Sequence, residues 1–169
     1  MTEAVKAPSA RRAELLERAY DYVLAEGLAG MSLRPLAAAI GSSPRVLLLL
    51  FESKEGLVRA LLSRARADEL TMLEQVRERS GLVAAEVWGW LARPEHRPVL
   101  ILWAEAYARS LIEAEGPWGG FAEATVRDWL ELLGGSTLTL AVLRGALLDL
   151  LATGDVERTT DAVSQYLGS

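Results

Sequence analysis

Apolar residues recur at three- and four-residue spacing along almost the whole chain, and no stretch alternates as a half-buried strand would. The first stripe is Leu15, Leu16, Ala19, Tyr20, Val23 and Leu24, which predicts a helix capped by Ser9, running to about Glu26 and ended by Gly27 to Gly30. Leu33, Leu36, Ala37 and Ile40 form a shorter stripe behind the N-cap Ser32, and Gly41 supplies the turn that follows. Ser43 then caps a third helix with Pro44 at its first position, where a missing N–H costs nothing. In that helix Leu47 and Phe51 fall inward, Val46 and Leu50 are partly covered, and Leu48 and Leu49 face out. Two short capped helices around a glycine turn are the layout of a helix-turn-helix, and such a unit places Pro44 to Leu50 in a DNA major groove.

Ser53 caps a long helix from Lys54 to about Arg79, with Leu57, Leu61, Leu62, Ala65, Leu70, Leu73 and Val76 on or near one side. It is too long to serve a three-helix head alone and reads as the connector to a body. Further helices are expected from Gly81–Leu82 to Ala92, from about Pro98 to before Gly116, and from Phe121 to Leu133. Two more follow, from the cap Ser136 to Ala152 and from the cap Asp155 to Leu167. The fold class is therefore all-α with about nine helices: a head over residues 1–60, joined by a long helix to a body over residues 61–169. Met1 to Pro8 reads as a disordered arm.

Charge changes this picture in one respect. The net charge of −5 is unevenly spread, because residues 1–66 hold ten Lys and Arg against seven acids, a balance of +3 that leaves −8 to the remainder. A basic head on an acidic body fits a DNA-facing module joined to something else. There is no cysteine and one histidine, His96, which sits between Glu95 and Arg97 and reads as a solvated surface residue. No Gly-rich phosphate loop and no suitably spaced carboxylate pair is present, so no catalytic residue, metal site or cofactor is expected. Without a signal-peptide core or a membrane-length apolar window, the chain reads as cytoplasmic, with no membrane partner.

Three stretches carry a resemblance to the tetracycline-repressor (TetR) family of transcription regulators: RRAELLERAYDYVLAEG at Arg11–Gly27, MSLRPLAAAIGSS at Met31–Ser43, and LLLLFESKEGL ending at Leu57. Together they cover about the first 60 residues. In the last, Leu47, Phe51, Ser53, Lys54, Glu55 and Leu57 fall where the family has its leucine, phenylalanine, Ser/Asn-Lys-Glu and leucine. The resemblance implies a ligand-responsive regulator, expected here as a repressor, that binds a palindromic double-stranded operator as a homodimer. The family's recognition helix usually carries a tyrosine and often a histidine before the phenylalanine, whereas this chain has Leu48, Leu49 and Leu50. Leucine reads no base edge except a thymine methyl. That leaves Arg45 as the main base-reading side chain beside Pro44, Leu48 and Leu49, with phosphate contacts expected from Ser32, Arg34, Ser43 and Lys54.

The helix after Ser136 is apolar nearly all round, so one face belongs to its own body and the other to a partner. Leu138, Val142, Gly145 and Asp149, with Val163 and Tyr166 of the last helix, are the expected dimer contacts. The body also holds all five tryptophans. A cavity for a small, apolar effector is implied by the resemblance, with Trp88, Trp103, Tyr107, Trp118, Phe121 and Trp129 as candidate lining. The rival reading keeps the same helical dimer but has it act through protein partners, with weak or no specific DNA binding.

Overall fold

The computed structural model describes residues 8–28, 30–77 and 83–168. Among them are nine α-helices and one 3-10 turn, with no strand: α1 (Pro8–Glu26), α2 (Leu33–Ala39), α3 (Pro44–Phe51), α4 (Lys54–Arg77), α5 (Val83–Leu91), the turn Pro94–His96, α6 (Arg97–Ile112), α7 (Phe121–Leu132), α8 (Thr137–Thr153) and α9 (Val156–Leu167). The boundaries follow the sequence punctuation within a residue or two. Helix α1 begins at Pro8, so Ser9 lies within its first turn and is not its cap. The proposed arm, the last turn expected for α4 and the start expected for α5 lie outside the described residues, as do the side chains of Leu73 and Val76.

Gly41 (φ 66°) turns the chain between α2 and α3, whose axes bend by 101°, within the range of a helix-turn-helix pair. The reversal between α3 and α4 is tighter. Glu52 adopts φ 69° and ψ −42°, near the strained γ-turn, and the Ser53 amide donates to the Phe51 carbonyl at 2.8 Å. A Cβ on Gly56 would stand 2.0 Å from that same carbonyl oxygen, so only glycine fits there. The Ser53 hydroxyl caps α4 by accepting the Gly56 amide at 2.9 Å.

Two apolar cores hold the chain together. The first gathers Leu15, Ala19 and Val23 of α1 with Leu36, Leu47, Phe51, Leu57 and Leu61, and it runs on into Leu102, Ala106, Trp118 and Phe121. The head thus shares its core with α6 and the α6–α7 loop. The second lies among α5, α7, α8 and α9 around Val87, Leu143, Leu147 and Val163. No single helix among the described residues is long and apolar enough to cross a membrane.

Candidate DNA-reading face and ligand cavity

Helix α3 is presented outward by the caps and turns around it. The Ser43 hydroxyl accepts the Val46 amide at 3.3 Å, fixing the first turn, and Leu47 and Phe51 anchor the inner face at 1% and 4% exposure. Leu48 and Leu49 project outward, Leu49 at 79% exposure, and Arg45 stands exposed beside them. Pro44 is half-buried at the first turn, while Arg34 on α2 and Lys54 at the start of α4 are exposed. Ser32 holds the N-cap position of α2, yet its side chain makes no capping hydrogen bond, contrary to the reading of its hydroxyl as a cap.

Two arginines of α1, unremarked in the sequence, hold this unit in place. Arg12 Nε donates to the Leu50 carbonyl at 3.2 Å while its guanidinium lies 4.8 Å above the Phe51 ring. Arg18 Nη1 donates to the Ile40 carbonyl at 3.3 Å. Each puts a cation at the C-terminal end of a head helix, where the helix dipole favours positive charge. Their partners are carbonyls more than twenty residues away, so no local pattern reveals them.

Beneath the head a cavity of about 280 Å³ opens between α1, α4, α6 and α7. Trp103, Phe121 and Trp129 line it as expected. The other three candidates do not. Trp88 packs in the second core with its Nε1 donating to the Thr160 hydroxyl at 3.0 Å, and Trp118 packs in the first. Tyr107 lies behind Trp103, their ring centroids 5.3 Å apart, and its hydroxyl accepts from Arg144. In their place the wall includes Tyr20, Glu69, Trp90 and His96. His96 is not a solvated surface residue: it is half-buried, stacked on Trp90 at 3.8 Å, with Nδ1 2.8 Å from the Trp90 carbonyl. The 3-10 turn after Pro94 folds the ring back, which periodicity does not foretell.

Charged groups on this side are mostly matched. Arg64 bridges Glu17 of α1 and Asp68 of α4, and Arg66 pairs with Asp128 of α7. Burial, then the nearby Asp68, pushes the Tyr20 hydroxyl well above the usual tyrosine range. Burial also raises the Glu69 carboxyl above its ordinary value, partly opposed by the hydrogen bond from Trp129 Nε1 at 2.5 Å and by Arg66. One further contact joins head to body: the Leu28 amide, just past α1, donates to Glu105 of α6 at 3.1 Å.

Helix α8 buries Leu140, Leu143, Leu147 and Leu150 and leaves its opposite face uncovered by the other described residues. Leu138 (65%) and Leu148 (54%) are exposed there, with Ala141, Gly145 and Ala152 on the same side. Among the described residues a Cβ on Gly145 would meet nothing within 4 Å, so none of the described helices crosses at that point. Val142 is half-buried, and Tyr166 is partly exposed with its hydroxyl 2.8 Å from that of Thr139. Asp149 grips Arg158 of α9 through both carboxylate oxygens at 2.6 and 2.7 Å, which holds its pKa below the ordinary range. Val163 corrects the expectation: at 1% exposure it belongs to the second core and has no surface left for a partner.

No protein-family model matches the chain, and no curated protein matches it in sequence. Solved structures do match in shape. The multidrug binding protein EbrR, in complex with imidazole, superposes with a TM-score of 0.62 at 21% identity, covering 92% of this chain and 89% of its own. A TetR-like transcriptional regulator from Rhodococcus sp. RHA1 superposes with a TM-score of 0.62 at 21% identity, covering 95% and 98%. Over nearly its whole length, the chain has the all-α fold of TetR-like transcriptional regulators.

Proposed function

We propose that the chain is a DNA-binding transcription regulator, a repressor that grips a palindromic operator as a homodimer and releases it when a small molecule enters the cavity beneath the head. The observation that carries this reading is α3: a capped, outward-facing helix at 101° to α2, on a chain with the fold of TetR-like regulators. Its reach is short. Arg45 is the base-reading side chain, Leu48 and Leu49 meet thymine methyls, and Pro44 sets the helix start. The Ser32 and Ser43 hydroxyls, Arg34 and Lys54 meet phosphates.

The dimer is formed by the uncovered face of α8 with Tyr166 of α9, where Leu138, Val142 and the flat stretch at Gly145 allow two helices to approach closely. Two heads fit successive major grooves only at about 34–36 Å or a multiple of it, so a modest change in their separation releases DNA. Tyr20 and Leu24 of α1 form part of the cavity wall, and Glu105 of α6 holds the amide just past α1. A ligand that prefers one arrangement of α4 and α6 therefore acts on the head through α1 as well as α4.

An anisotropy titration against the DNA upstream of its own gene, at several salt concentrations, tests the reading. Sequence-selective binding that weakens steeply with salt is the expected result, and no selectivity at low salt rejects it. Arg45→Ala relaxes specificity, whereas Lys54→Ala weakens all sequences alike and flattens the salt slope by about one.

A further inference from the structure

We propose that the cavity beneath α1 takes a flat organic cation bearing N–H donors, an amidinium or a protonated heteroaromatic amine, with Glu69 as its counter-charge. The inference rests on the ligand-binding reading above and names the chemical class of that ligand.

Among the described residues the cavity wall contains two carboxylates, Asp68 and Glu69, and no lysine or arginine. Asp68 is already bound by Arg64. Glu69 is only half satisfied. Its side chain is 9% exposed, one oxygen accepts Trp129 Nε1, and the other makes no hydrogen bond. The nearest cation to that second oxygen, Arg66 Nη1, stands 4.0 Å away on a guanidinium already paired with Asp128. A carboxylate buried in this way is expensive to keep unless something pairs with it, and its raised pKa reflects the same burial.

The remaining polar lining is mixed: Trp103 Nε1, which can only donate, and the Tyr20 hydroxyl are buried there without partners, while His96 adds an acceptor. A carbonyl only accepts, so His96 Nδ1 carries the proton it gives to the Trp90 carbonyl, and in that neutral tautomer Nε2 is an acceptor. Around these acceptors stand the rings of Tyr20, Trp103, Phe121 and Trp129, whose π faces attract cations and suit a flat ligand. An anionic ligand is opposed by the same wall. The buried Arg144 guanidinium, which has Nε and Nη2 without partners, lies 5.8 and 5.0 Å over the rings of Trp103 and Tyr107; it is not part of the cavity wall, and with Arg66 it offsets the Glu69 charge from a distance without a hydrogen bond to the free oxygen.

Isothermal titration calorimetry of the full chain with three probes of one shape, 2-naphthamidine, 2-naphthamide and 2-naphthoate, separates charge from fit. The amidine should bind at least about tenfold more tightly than the amide, with the carboxylate undetectable. Glu69→Gln should erase that preference, bringing amidine and amide within about threefold of each other. Equal or tighter binding of amide or carboxylate to the wild type overturns the charge assignment but leaves the cavity a ligand site. Binding of none of the three overturns both. Because the wild-type series decides the charge preference alone, a Glu69→Gln chain that fails to fold leaves the test standing; one that folds and keeps the preference overturns the role of Glu69.

Discussion

Helices α3 and α8 are the two leucine-rich helices of this chain, and each leaves a pair of leucines in solvent. They differ in what surrounds those leucines. On α3, Leu48 and Leu49 stand on an eight-residue helix beside Arg45, with α2 bent sharply away and a γ-turn closing the other end. On α8, Leu138 and Leu148 flank alanine and glycine along a seventeen-residue helix, giving a long, flat surface without charge at its centre. A short convex helix with a guanidinium fits a groove; a long, smooth one fits another helix. Exposed leucine alone distinguishes neither.

The comparison breaks most visibly at Gly145. Gly145→Arg adds a long charged side chain at an exposed position whose Cβ would meet none of the described residues within 4 Å, and arginine is the better helix former by about 1 kcal/mol. The folded monomer should therefore be no less stable. A close helix crossing with a second copy becomes impossible, and self-association should weaken by about a thousandfold, roughly 4 kcal/mol. Sedimentation equilibrium checks this, and operator binding should fall with it. If the variant associates as the wild type does, α8 is not the dimer face.

On α3 the largest effect comes from the inner side. Leu47→Ala removes a side chain at 1% exposure in the shared core and should cost about 2–5 kcal/mol in denaturant unfolding. Arg12→Ala is milder. It leaves the Leu50 carbonyl to water and uncovers the Phe51 ring, costing about 1 kcal/mol, with faster amide exchange confined to the end of α3 and the γ-turn. Exchange that rises evenly through the whole chain would mean that Arg12 does not act locally.

The head was legible in the sequence because its determinants are local. Ser43-Pro44, Gly41 and Ser53 mark helix ends by their own chemistry, and Leu47 with Phe51 share a face by spacing alone. The cavity was legible only in part. Trp103, Phe121 and Trp129 share their size and aromatic character in the body with Trp88, Tyr107 and Trp118, which pack elsewhere. Tyr20 enters the wall from the head, His96 by the backward fold of the 3-10 turn, and Glu69 by the rotation of α4 against α7. Each depends on how distant helices meet, which residue spacing within one helix does not encode. Val163 shows the same limit, since its apolar character fits a dimer face and a core equally, and only the packing of α9 on α8 puts it inside.

The smallest effect on stability separates the two helices most cleanly. Leu49→Ala trims a side chain at 79% exposure, so unfolding free energy should stay within about 0.5 kcal/mol of the wild type. If Leu49 reads a thymine methyl, the same change should lower affinity for the operator by about threefold to tenfold and relax preference at one base pair, while the salt slope stays fixed because no phosphate contact is lost. Leu148→Ala on α8 supplies the counterpart: it should weaken self-association and leave the base preference of each head untouched. Anisotropy titrations on operators with thymine replaced by uracil, which lacks the methyl, then decide the matter. Wild type should lose affinity on the uracil operator and Leu49→Ala should not. An equal loss in both chains means that the methyl is read by another residue, and Leu48 is the next to replace.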